Sequence, residues 1–295
     1  MNQTLYAIVL MIAGMLFFAL GDMFLKLATL TLSFGVVTLI LGIGMSAVFG
    51  VMALRQKQAF FSRQYLHLSM VMRCIGEAVG IIGIIIALAY SPISTVTALM
   101  QSLPLILTFM GAVFLGETVG IRRILAMTAG LIGVLIIIRP GTDDFDVFAS
   151  FTLVGVLGMA IRDFGTRIAP GHIATSILSF YGSLALIITG LIMVWADGDF
   201  TFPEGQAWSY CFGLVVTAAL GTYAVSSAMR LTDIAIISPF RFSRVIFGVA
   251  IGIFMFHETI DLQTAIGAVI VVSAGLYSWL RERILASTQT GGKAC

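Results

Sequence analysis

Four arginines, Arg73, Arg162, Arg241 and Arg244, stand inside apolar runs long enough to cross a bilayer, and Glu77 follows Arg73 by one helical turn. A guanidinium presents its donors in a planar fork that fits a carboxylate or phosphate edge. A buried carboxylate suits an ammonium group or a proton. Each such charge costs about 2.5–3.5 kcal/mol at the centre of a membrane helix on insertion scales, so it belongs against an opposite charge or a wet cavity. In "PFRFSRVIFG", residues 239–248, Arg241 and Arg244 share one helix face. On a rise of 1.5 Å per residue they lie about 10 Å and about 15 Å into the span. Arg244 is therefore expected to face Glu77 or a bound anion. Snorkelling to the interface is the alternative for Arg241, and a purely structural pair with Arg73 is the alternative for Glu77.

Two further stripes carry polar groups. Ser94, Thr97, Gln101, Pro104 and Thr108 recur at steps of three and four, and so do Gly155, Gly158, Arg162 and Gly165. Pro104 and Pro239 each free a carbonyl and permit a kink. The candidate substrate-binding residues are Arg73, Glu77, Gln101, Arg162, Arg241 and Arg244. Asp22 with Lys26, and Asp163 with Arg167, are spaced i,i+4 and read as structural or gating ion pairs. No catalytic residue and no metal ligand emerges. The three cysteines are scattered, and His257-Glu258 lacks the second histidine of a zinc helix. The stretch from His257 through Thr259 to Asp261 reads as the close of one helix and the cap of the next.

The elements that must hold these residues follow from composition. The chain has 295 residues, 59% hydrophobic and 10% charged, where a soluble domain carries about 25% charged residues. Ten segments reach the roughly 20 apolar residues that span hydrocarbon. They fall at 4–25, 34–54, 66–89, 92–115, 121–138, 149–167, 173–195, 207–228, 234–256 and 262–280. None alternates as barrel strands do, so the expected fold is an all-α integral membrane protein. The N-terminus lacks the features of a cleaved leader and reads as a retained first span. Residues 285–295 read as a disordered tail.

With ten spans, ten basic residues fall on the side that holds both termini and two on the other. That bias places both termini in the cytoplasm, in the plasma membrane of a bacterium. Sliding the chain on itself gives one register, an offset of 141, that holds throughout. It matches Gly14 with Gly155, Asp22 with Asp163, Lys26 with Arg167, Gly111 with Gly252 and Glu117 with Glu258. Two repeats, 1–141 and 142–284, each of five spans, must then enter the membrane in opposite senses, as in secondary transporters. Glu77 corresponds to Ala218, Arg241 to Met100 and Arg244 to Leu103. These charges break the repeat, as recognition of an asymmetric substrate requires.

The stretch from Ala87 to Gly141, with its "SPIS" entry, internal proline, "LGE" and "GVLIIIRPG", resembles the EamA-type half-repeat of the drug/metabolite transporter superfamily. The second half is similar, with Asp233 in place of Pro92 and His257 in place of Gly116. The resemblance implies ten helices and alternating access by a secondary carrier without a cofactor, as monomer or homodimer. The expected cargo is a small zwitterionic or anionic amphiphilic metabolite, with the proton as candidate coupling ion and export favoured. The alternative is uptake of a cofactor-type metabolite similar to S-adenosylmethionine or riboflavin. Nothing in the chain suits a nucleic acid, an ATP-driven pump, a channel filter or an enzyme. Reporter fusions at Lys57, Arg122 and Arg283 are expected to read cytoplasmic and one near Asp199 external; a cytoplasmic signal at Asp199 would remove the inverted repeat.

Overall fold

The computed structural model describes residues 3–62, 65, 67–115, 121–139, 146–198, 200–231 and 238–291. Its helices are α1 (Gln3–Thr29), α2 (Phe34–Arg55), α3 (Leu68–Tyr90), α4 (Ile93–Met100), α5 (Leu103–Leu115) and α6 (Ile121–Ile138). The second half holds α7 (Val147–Arg167), α8 (Thr175–Asp197), α9 (Gln206–Leu231), a 3-10 turn (Ser238–Phe242), α10 (Ser243–Phe256) and α11 (Leu262–Gly291). No strand occurs among the described residues. Among the described residues, seven stretches are long and apolar enough to cross a membrane: α1, α2, α3, Ile93–Gly111, Val147–Thr166, α8 and Gln206–Val225. Ile124–Ile138 and Leu262–Tyr277 are shorter apolar helices. Of the expected ninth span, residues 234–237 lie outside the described residues, as does Glu117 of the repeat pattern.

Two expectations about these elements change. The span expected at 92–115 is two helices, because Pro104 cannot donate to the Met100 carbonyl and its ring crowds that turn. The break at Gln101–Ser102 is satisfied locally: Ser102 Oγ donates to Leu99 O at 2.7 Å and Gln101 Nε2 to Thr97 O at 3.2 Å. Around Pro239 the chain tightens into the 3-10 turn before α10. The second change is at the end of the chain. Residues 285–291, expected in a disordered tail, continue α11, where a helix keeps backbone donors and acceptors paired within itself.

Packing joins the two halves throughout. The main pairings are α3 on α7, α2 on α8, α1 on α9, α6 on α11 and α4 on α10. In lipid, association gains little from burying apolar surface and depends on close approach at small residues. On the α3–α7 seam, a Cβ added at Gly158 would run into the backbone of Gly76 and Gly80, and one at Gly83 into that of Phe151 and Gly155. Gly80 lies on Gly155 here, and their counterparts at the 141 offset, Gly221 and Gly14, meet on the α1–α9 seam. Ser46 and Ser183 link α2 to α8 at 2.9 Å.

One end of the bundle is closed by a charged lock. At the end of α10, His257 takes a left-handed backbone (φ +52°), where the first half has Gly116. The turn sends the Glu258 carboxylate back to the start of α4. There it accepts from Ile93 N at 2.7 Å, Ser94 N at 3.1 Å and Ser94 Oγ at 2.8 Å. An anion belongs at that position, because the first amides of a helix have no partner inside it. A side chain at Gly252 would occupy the place of this carboxylate. Lys26 donates to Ser91 O at 2.6 Å, lies 3.7 Å from Glu258 and sits over Phe256. Below the lock, Leu25, Ala28, Ile85, Leu88, Ile93 and Val96 pack in one buried cluster. Gly158→Leu is expected to wedge α3 from α7 and cost about 1–3 kcal/mol or more, read as a lower melting temperature. Gly171→Ala, where a Cβ meets nothing within 4 Å, serves as the control and should leave the melting temperature unchanged.

Candidate functional site

The bundle holds a partly open cavity of about 180 Å³. One part of its wall is apolar, with Met15, Phe18, Leu41, Met159, Leu186 and Leu214. Another part is charged: Asp22 from α1, Glu77 from α3, Arg162 from α7, Arg241 from the 3-10 turn and Arg244 from α10. Gln101 and Pro104, at the break between α4 and α5, complete it.

The charges form two groups. In the first, Glu77 lies 3.5 Å from Arg73 Nη2 and 3.5 Å from Arg162 Nη1. Arg162 Nε donates to Asp163 Oδ1 at 3.0 Å, and Arg241 reaches Asp163 at 3.7 Å. Arg73 also donates to Thr166 Oγ1 at 3.3 Å. Close approach of α8 at Gly182 leaves room for the Arg73–Glu77 pair, since a Cβ there would stand 3.2 Å from both. Glu77 Oε2 and Arg73 Nε are nonetheless buried without a hydrogen-bond partner among the described residues. In the second group Arg244 gives Asp22 its Nε at 3.2 Å and its Nη2 at 2.9 and 2.7 Å, and lies 5.3 Å over the Phe18 ring. Four guanidiniums thus face three carboxylates, a surplus of one positive charge. A site of this kind can hold a flat apolar body on one side and polar acceptor or donor groups on the other.

All six candidate substrate residues are brought together: five line the cavity or its break, and Arg73 stands behind Glu77. Three pairings differ from expectation. Asp22 and Lys26 do not serve one another: Lys26 lies one turn nearer the end of α1, within reach of Glu258, while Asp22 is met by the fork of Arg244 from α10. Arg244 faces Asp22 and not Glu77, which two other arginines already occupy. Arg241 is turned inward to Asp163 and does not snorkel. The Arg167 side chain, and with it the expected Asp163–Arg167 pair, lies outside the described residues. The polar stripe on α4 divides as well. Ser94 serves the Glu258 cap, Thr97 donates to Ile93 O at 2.6 Å and packs against Gly248, and Gln101 and Pro104 reach the cavity. The side chain of Thr108 lies outside the described residues.

Glu258 is the functional-looking residue that the sequence reading passed over. His257 does close α10, and Asp261 does cap α11 by accepting from Gln263 N and Thr264 N. The carboxylate between them instead caps a helix 165 residues away. The signal was present, because Glu117 and Glu258 match in the repeat along with Gly111 and Gly252.

Known proteins bear on this arrangement. Residues 5–139 match the profile of the EamA-like transporter family. A riboflavin transporter of Vibrio cholerae is 30% identical over 188 residues, 63% of this chain and 62% of its own. An S-adenosylmethionine uptake transporter of Rickettsia felis is 24% identical over 198 residues, 66% of each chain. A riboflavin transporter of Brucella anthropi is 27% identical over 211 residues, 70% of this chain and 74% of its own. The matched stretch thus spans slightly less than two thirds of the Vibrio and Rickettsia proteins. A solved crystal structure shares the fold at a TM-score of 0.65 and 16% identity, over 95% of this chain and 98% of its own. The profile match over residues 5–139, slightly less than half of the chain, together with the apolar helices, likens this chain to the EamA-like transporter family.

Proposed function

We infer that the protein is a secondary carrier that takes up a cofactor-type metabolite, of the riboflavin or S-adenosylmethionine kind, by alternating access. The observation that carries this reading is the cavity itself, which sets an apolar wall with Phe18 and three methionines against five ionisable side chains. A planar heteroaromatic body with a polar edge uses both surfaces. Export was the favoured direction from resemblance alone. The names of the similar proteins, two riboflavin transporters and an S-adenosylmethionine uptake transporter, favour the alternative.

Alternating access is supported by the way the halves pair. Adding 141 turns the α3–α7 contact into the α1–α9 contact, and turns α2–α8 into itself, as two inverted five-span repeats related by a two-fold axis would require. The profile match ends at residue 139, close to the repeat boundary at 141. On this reading the membrane holds ten spans with both termini in the cytoplasm, the lock of Lys26 and Glu258 seals the outer end, and the cavity belongs to an inward-facing state.

The test is direct uptake. Proteoliposomes holding the full chain should accumulate labelled riboflavin or labelled S-adenosylmethionine; transport of neither would sink the substrate reading. Arg244→Lys keeps the charge but loses the fork, so half-saturation should rise about tenfold, the scale of one charge-assisted hydrogen bond. Arg244→Met leaves Asp22 buried without its partner and should lower stability by about 3–5 kcal/mol. Wild-type uptake in both variants would remove Arg244 from the site.

A further inference from the structure

Asp22 and Asp163 correspond under the 141-residue offset, yet they keep different company. On α7 the residue before Asp163 is Arg162, which donates to it at 3.0 Å, and Arg241 approaches from the 3-10 turn at 3.7 Å. On α1 the residue before Asp22 is Gly21, closed over by Thr217 of α9. Among the described residues Asp163 thus has two guanidiniums and Asp22 has one. Glu77 also lies between two, Arg73 and Arg162. If one arginine is drawn away, Asp163 and Glu77 each retain another. Asp22 retains none.

Among the described residues, the surroundings of Asp22 supply no substitute. Asp22 is 7% exposed, among Met15, Phe18, Leu25 and Leu214. Across the cavity stand Glu77 from α3, Arg162 from α7 and Arg241 from the 3-10 turn, all engaged with one another or with Asp163. On α1 itself Lys26 is one turn away and held by Glu258 and Ser91. The cavity-lining residues of α2, α4, α5, α8 and α9 carry no ionisable group. The Arg244 fork, meanwhile, is filled by Asp22. A substrate can use that fork only when Asp22 releases it. A carboxylate left alone in an apolar wall neutralises by taking up a proton.

We propose that Asp22 is the proton-binding site of this carrier, loaded as substrate takes Arg244. The proton comes from solution and settles on Asp22; the hydrogen bonds from Arg244 to Asp22 break, and the same donors turn to the substrate. Proton and substrate therefore enter the cycle together, one of each. The substrate group that suits the freed fork is an edge of two adjacent acceptors, a carboxylate or a carbonyl beside an unprotonated ring nitrogen. The proposal rests on the carrier reading above.

The experiment measures the affinity of purified full chain in lipid for riboflavin and for S-adenosylmethionine across a pH series. The bound state holds one proton more than the free state, so wild-type affinity falls as pH rises through the titration of Asp22, approaching about tenfold per pH unit. Asp22→Asn imitates the protonated side chain and flattens this slope, whereas Glu77→Gln retains it. A wild-type slope in Asp22→Asn, or a flat wild type, overturns the proposal. Binding of neither probe by wild type would instead count against the substrate reading. A measurement without substrate then decides the proton: infrared titration of Arg244→Met should show a carboxylic-acid carbonyl band that is missing from Arg244→Met combined with Asp22→Asn. Absence of that band in the single variant overturns the proposal on its own.

Discussion

A charge in the hydrocarbon layer is tolerated only beside an opposite charge, and the centre of this protein is organised around that constraint. Seven ionised side chains meet between the two halves, contributed by α1, α3, α7, the 3-10 turn and α10. Each side chain alone would oppose insertion of its helix; together they specify which helices must face one another. The bundle cannot rotate α1 or α10 outward without exposing Asp22 or Arg244 to lipid. Charge compensation thus does for this core what apolar burial does for a soluble one.

Small residues make that meeting possible. The α3–α7 seam closes to backbone contact at Gly76, Gly80, Gly83, Gly155 and Gly158, which brings Glu77 and Arg162 within 3.5 Å. The α1–α9 seam repeats the device with Gly14 and Gly221. The scaffold is nearly two-fold while the charges on it are not. Arg162 stands where the first half has Gly21, and Arg244 where it has Leu103. A symmetric frame can exchange the conformations of its halves; an asymmetric lining can tell one end of a substrate from the other.

The lock at the far end obeys the same chemistry with a different partner. Glu258 faces the free amides at the start of α4 as well as Lys26, so a helix end and a cation share one carboxylate. It ties α1, the α3–α4 junction and the close of α10 together. Opening that end means finding other partners for the Ile93 and Ser94 amides, and water supplies them where lipid cannot. On the proposed carrier reading, a closed end above the cavity is what one stage of alternating access requires.

The sequence by itself determined the helical class and marked the charged residues that stand inside apolar runs; the ten spans and the repeat register are its expectations. Hydropathy over twenty residues reports burial in lipid, a constant offset reports a shared scaffold, and a charge in an apolar run reports a partner somewhere. It did not determine which partner. The i,i+4 spacing of Asp22 and Lys26 suggested a local pair, because spacing along one helix is all a single chain reading can measure. Tertiary packing brought Arg244 to Asp22 across 222 positions and Glu258 to Ile93 across 165. The break at Gln101 was half legible: Pro104 announced a disturbed helix, but only the packing of α4 on α10 and α7 fixed which way the carboxamide turns. Pairings between helices depend on their rotation and depth in the bundle, which every seam sets jointly. No local stretch of sequence encodes that.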